Sequence, residues 1–198
     1  MATSTTYRAW LAAIAAGDDE QAEALSQQLT PADGPALLAQ VASSDLDLRW
    51  WAVRALALHG PPAAAGPIAA ACDDPEPSVR AAAALALALL CGRYPAAVEP
   101  YLPVLAVRLA DIDGMVRQAN ADALAQCGEV ALAVLAEVLE FGPEAARTRA
   151  AYALRKMGSK PAAALLYPLL NDPNPLIHTY AYEGLDDLGL LETTLLLP

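Results

Sequence analysis

An arginine followed by small apolar residues recurs at near-constant intervals in this chain, and a period of about thirty residues obliges it to build one piece of structure repeatedly. With Arg80 of "SVRAAAALAL" as origin, Ala stands at plus three, plus four and plus six and Leu at plus seven. Arg49 repeats the pattern with Ala52, Val53, Ala55 and Leu56, and Arg117 with Asn120, Ala121, Ala123 and Leu124. Arg147 gives Ala150, Ala151, Ala153 and Leu154, and His178 gives Ala181, Tyr182, Gly184 and Leu185. The five anchors lie 31, 37, 30 and 31 residues apart. Gly60, Gly128, Gly158 and Gly189 follow at plus eleven, and Gly92 at plus twelve in the Arg80 copy.

The segments before the anchors keep the same register. Eight residues earlier stand Val41, Cys72, Leu109, Leu139 and Leu170, and twelve earlier Leu37, Ile68, Leu105, Leu135 and Leu166. A spacing of four is one face of a helix. Each copy therefore reads as a helix, a turn rich in Asp and Pro, and a second helix ended by Gly. Pro75 and Pro77, like Pro173 and Pro175, stand where a helix begins and a missing N–H costs little. Hydrophobic residues make up 56% of the 198, largely as Ala, and the Val/Ile/Thr alternation of strands is missing, so the composition is all-α.

The motif Asp-Pro-x-x-Val-Arg-x-x-Ala-x-x-Ala-Leu-x-x-x-Gly, carried by "DPEPSVRAAAALAL", "DIDGMVRQANADALAQCG" and "LRWWAVRALALHG", resembles the HEAT repeat in its short bacterial, phycobilisome-lyase form. The resemblance implies a right-handed α-solenoid of about five helix pairs, with one helix layer convex and the other lining a concave face. It sets the expected organisation of a single domain: an N-terminal helical cap over 1–32, five repeats over 33–189 and a tail over 190–198. It also implies that the ladder Arg49, Arg80, Arg117, Arg147 and His178 is structural, each base pairing with an acid of its own or a neighbouring turn. Asp45, Asp47, Asp74, Glu76, Asp111, Asp113 and Asp172 are the candidates.

Charge and cysteine usage narrow the function classes. A net charge of −11 repels phosphate backbones, so nucleic acid is not an expected partner. Cys72, Cys91 and Cys127 form no CxxC pair, and a reduced cytoplasmic protein is the simplest reading. The apolar run from Ala81 to Cys91, flanked by Arg80 and Arg93, is too short to span a bilayer, so no membrane role is expected. The two histidines, His59 and His178, and the scattered cysteines supply no ligand set, so no metal or cofactor is expected.

The enzymatic branches that the resemblance brings with it also fit poorly. Di-iron hydroxylases of this type use His-Glu pairs, and the chain has no His-Glu dipeptide. HEAT-like DNA glycosylases need a basic face, against 23 acids and 12 bases here. Bilin-lyase subunits remain the alternative, with no residue to assign to their chemistry. The expectation is a non-enzyme: an interaction module or scaffold for a protein or peptide.

Its contacts should come from large residues that break the template: Trp50, Tyr101, Tyr152 and Tyr167. Trp50 and Trp51 could instead pack beneath the cap, against Tyr7 and Trp10; the expectation is a structural Trp51 and a partly exposed Trp50. The first helices carry mostly small apolar residues at the positions expected to line a groove, among them Leu38, Ala69, Ala106, Ala136 and Val107, with Glu137 at the same face. Arg155 and Lys156 are expected to pair with Asp186 and Asp187 at equivalent positions of the next copy. The Leu-rich tail "LLETTLLLP" is expected to fold back over the fifth repeat or to self-associate.

Overall fold

The computed structural model describes residues 4–191, so the expected tail lies outside the described residues from position 192 onward. All regular structure among the described residues is helical. It gathers into two compact units, one ending at Tyr101 and the other beginning at Leu102.

The first unit opens with an antiparallel hairpin, α1 (Thr5–Ala15) and α2 (Asp19–Ser26), started by the side chains of Ser4 and Asp18, which accept the N–H groups of Tyr7 and Gln21. Trp10 is fully buried between these helices, and its indole N–H donates to Ser26 Oγ at 2.9 Å. Tyr7 donates its hydroxyl to the Ala36 carbonyl and so ties the hairpin to α3 (Gly34–Gln40). Two helix pairs follow: α3 with α4 (Leu46–His59), and α5 (Ala65–Ala71) with α6 (Pro77–Arg93). Ala52, Ala55 and Leu56 of α4 and Ala83, Ala84 and Leu87 of α6 are all fully buried where the two helices pack. Small side chains at these positions let the backbones approach closely.

The turn inside each pair must end one helix and start the next within a few residues, which leaves backbone groups without helical partners. The anchor arginine satisfies them. Arg49 Nη1 donates to the carbonyls of Ser43 and Ser44, and Arg80 Nη1 to those of Asp74 and Pro75 at 2.9 and 3.1 Å. Arg49 also reaches forward, holding both carboxylate oxygens of Asp74 in the next turn at 2.7 and 3.1 Å. Asp74 accepts the N–H of Glu76 as well, closing its own turn.

The copy anchored on Arg80 departs from the sequence reading at its end. Gly92 lies inside α6 rather than terminating it, because the helix runs to Arg93 before Pro95 stops it. The extra turn brings the Arg93 guanidinium onto the carbonyls of Leu58 and Ala57, both at 2.7 Å, where it caps the C-terminus of α4. The longer interval to the next anchor is filled by α7 (Pro95–Val98) and a 3-10 turn, Glu99–Tyr101.

The second unit holds three pairs. They are α8 (Leu102–Val107) with α9 (Gly114–Cys127), α10 (Leu132–Phe141) with α11 (Glu144–Met157), and α12 (Lys160–Leu166) with α13 (Pro175–Asp186). Leu105, Leu135 and Leu166, twelve residues before their anchors, are at most 1% exposed, each worth roughly 1.5–3 kcal/mol of burial. In the fifth copy Leu169 is buried and Leu170 only half-buried, because α12 tightens into a 3-10 turn over Tyr167–Asn171 and rotates the face forward. Gly184 replaces Ala at plus six because a Cβ there would meet Leu166 Cδ1 at 2.7 Å and the Arg155 backbone at 3.2 Å.

Arg117 repeats the anchor contacts, donating to the carbonyls of Asp111 and Ile112, and Arg147 pairs forward with Asp172. Arg117 has no forward acid among the described residues: six residues before Arg147, where the turns before Arg80, Arg117 and His178 carry Asp, stands Phe141. His178 is exposed, and neither ring nitrogen has a partner among the described residues.

The polar contacts between second helices are staggered relative to the expected side-by-side pairing. Arg155 meets Glu183 at 2.9 Å and Lys156 meets Asp122 at 2.6 Å, while Asp186 and Asp187 are exposed. A residue at plus eight or nine therefore lies against plus five of its neighbour, one helical turn from the equivalent position.

Two outcomes follow from these turns and from the one polar residue among the small apolar rows. Burial raises the Asp74 carboxyl pKa, but the Arg49 hydrogen bonds and the Glu76 N–H outweigh it, and the net direction is down. A carboxyl whose folded pKa lies below its unfolded value near 4 stabilises the fold above that value and stops doing so as pH falls through the folded pKa. Asp74→Asn should lower stability at neutral pH by about 2 kcal/mol and flatten the acid limb of a Tm-against-pH curve below about pH 4. Asn120 is fully buried at plus three, where Ala52, Ala83 and Ala150 stand in other copies, and its Oδ1 has no partner although its amide donates to the Val116 carbonyl. Asn120→Ala should raise stability by up to about 1 kcal/mol in thermal or urea unfolding.

Candidate partner-binding surface

The template-breaking aromatics do not converge on one patch. In the first unit Trp51 is buried and Trp50 half-buried, their rings edge to face at 4.9 Å. The Arg54 guanidinium lies over both, 4.5 Å from the Trp50 ring, and is anchored by Glu23 of α2. Tyr7 and Trp10 pair with each other, and the hairpin also meets α4 through the Glu23–Arg54 contact. Tyr101 is half-buried with its hydroxyl against α5; a Cβ at Gly66 would stand 2.9 Å from that oxygen.

In the second unit Tyr152 is half-buried in a polar row on the second helices. Its hydroxyl donates to Asp122 at 3.0 Å, Lys156 shares the same oxygen, and the Tyr180 ring meets it edge on. Burial raises the Asp122 carboxyl pKa, yet hydrogen bonds from Lys156, Gln118 and Tyr152 bring it below its ordinary value. These groups satisfy one another. Tyr167, more exposed, spends its hydroxyl on the Leu190 carbonyl.

Exposed apolar surface also lies elsewhere in this unit, between the first helices α8 and α10 and the turn into α11. There a groove of about 390 Å³ is lined by Ala106, Val107, Val134, Glu137, Val138 and Phe141. Phe141 is 74% and Val107 69% exposed, which is unusual for side chains this apolar. The α10–α11 turn beside the groove is tight. Gly142 ends α10 and Pro143 starts the next helix, and a Cβ on Gly142 would collide with the Val138 carbonyl at 2.5 Å. Phe141 thus occupies the place of the turn aspartate with nothing above it to pack against. Ala106, Val107 and Glu137 were legible as groove positions in the sequence; Phe141 was missed. The signal was there, since it is the chain's single Phe and it interrupts the Asp register.

Among the described residues no group of three or more His, Cys, Asp or Glu side chains is placed to hold a metal ion. Cys72 and Cys91 are buried, Cys72 with its thiol against the Ile68 carbonyl. No helix among the described residues is long and apolar enough to cross a membrane.

The family model for HEAT repeats matches residues 34–125 and again 102–186. No curated protein sequence matches the chain. Among solved structures, a chain of the CpcE–CpcF complex of phycocyanin lyase from Nostoc sp. PCC7120 is similar at 26% identity and a TM-score of 0.54, over 81% of this chain and 65% of that one. This chain therefore spans somewhat less than two thirds of that relative's length. YibA of Escherichia coli matches over 98% of this chain and 80% of its own at 17% identity and a TM-score of 0.56. A designed armadillo repeat protein solved with a (KR)4 peptide matches over 93% and 100% at 15% identity and a TM-score of 0.51. With helix pairs repeating in both units and the family model covering most of the sequence, the chain belongs to the HEAT-repeat family of all-α solenoids.

Proposed function

We propose that this chain is a non-catalytic protein-binding module whose second unit seats a segment of a protein partner in the groove between α8 and α10. HEAT-type repeats often mediate protein interaction, and the observation that carries the reading to this surface is Phe141. A phenylalanine left 74% exposed beside Val107 and Val138 forgoes roughly 1.5–3 kcal/mol of burial that a partner's apolar side chain recovers on docking. The groove has room for a large side chain or two, and it is formed by rigid helices, so little ordering is needed on this side of the contact. A cytoplasmic setting suits a chain with three scattered cysteines and no CxxC pair.

The 26% identity to a chain of the phycocyanin lyase complex favours a second reading, a subunit of a bilin-attaching enzyme. Visible absorption by the protein purified from its native host, at one chromophore per chain, would favour it over the first.

Affinity capture from that host separates the surfaces. Phe141→Ser and Val107→Ser should leave the melting temperature nearly unchanged, since both side chains are exposed, and should abolish capture of the partner bound by the unaltered chain. Trp50→Ala should keep it. Loss of capture with Trp50→Ala and retention with Phe141→Ser would move the interface to the first unit and overturn the groove.

A further inference from the structure

Resting on that reading, we infer that the groove is selective for a basic amphipathic segment, one that lays a bulky apolar side chain against Phe141 and Val107 and carries Lys or Arg at its flank. The inference comes from where the unit leaves its acids uncompensated. Asp122, Asp172 and Glu183 each face a cation, Lys156, Arg147 and Arg155 respectively. Glu137 and Glu140 face none among the described residues, and both are exposed. They stand three apart on α10 and so are neighbours on its surface; Glu137 lines the groove and Glu140 immediately precedes Phe141. Glu144, just past the turn, is also exposed, one of its oxygens accepting from the Asn174 amide.

An apolar floor with bare carboxylates at its edge favours one chemistry and disfavours others. A cationic flank gains Coulomb energy that grows as the docked apolar side chain excludes water. An acidic segment or a phosphate backbone meets repulsion at the same place. A second copy of this chain, at −11, is opposed by its own charge.

The test uses the full chain and two labelled amphipathic peptides of about 15 residues, long enough to form a helix. One is built of Leu and Lys, and the other has every Lys replaced by Glu. Fluorescence anisotropy at low and physiological salt should show the Lys peptide binding, more weakly as salt rises, and the Glu peptide not binding. Glu137→Gln with Glu140→Gln should weaken the Lys peptide roughly threefold to tenfold and reduce its salt dependence. Asp186→Asn with Asp187→Asn, which removes two exposed acids elsewhere in the unit, should change little. Phe141→Ser should abolish binding, with melting curves confirming that each variant is folded. Equal binding of both peptides, or equal weakening by the two double variants, overturns the inference as nonspecific attraction. If Phe141→Ser abolishes binding while Glu137→Gln with Glu140→Gln does nothing, the charge selectivity fails and the groove stands. If neither matters, both fail. A concentration-dependent dimer in light scattering that Phe141→Ser dissolves identifies the occupant as a second copy and overturns the basic segment.

Discussion

The anchor guanidinium holds the repeats in order. Each intra-repeat turn is too short to satisfy its own carbonyls, and an exposed ion pair alone would contribute little. Arg49, Arg80 and Arg117 donate inward to two consecutive carbonyls of the turn six and five residues upstream. Where the next turn supplies an aspartate, as Asp74 does for Arg49 and Asp172 for Arg147, the same side chain also reaches forward. In the Arg49 copy one side chain thus closes a turn and fixes the register of its neighbour. The fully buried alanines then pack only if that register is kept.

The groove is what this device leaves behind when one part is replaced. With Phe141 in the aspartate's place, Arg117 keeps its inward contacts and has no forward one among the described residues, and a large apolar side chain stands at an exposed turn. The sequence exchanges a contact within the fold for an exposed apolar side chain. The neighbouring carboxylates of α10, Glu137 and Glu140, face no cation among the described residues.

The fold was legible because a repeated pattern constrains many positions at once. The rows at minus twelve, plus three, plus six and plus seven predicted burial almost residue for residue. What escaped prediction was local winding and stagger. The 3-10 turn over Tyr167–Asn171 moved burial from Leu170 to Leu169, and the extension of α6 placed Gly92 inside a helix and turned Arg93 into a cap for α4. The pairings of Arg155 and Lys156 depend on how far one helix slides along the next, which no template of equivalent positions contains. The aromatic candidates break the pattern, but Tyr152 and Tyr167 spend their hydroxyls on internal contacts and the Tyr101 hydroxyl lies against Gly66, whereas the exposed Phe141 has none to spend.

Asp122 gathers Gln118 from its own helix and Tyr152 and Lys156 from α11. Repeat arrays ordinarily open piecemeal, each unit exchanging its amide hydrogens with solvent at its own rate. A carboxylate shared by α9 and α11 removes that independence, since opening either helix strands the donors or the acceptor of the other. These two helices should therefore exchange as one unit, and the Arg147–Asp172 and Arg155–Glu183 pairs extend the same coupling from α11 to α13 and the turn before it.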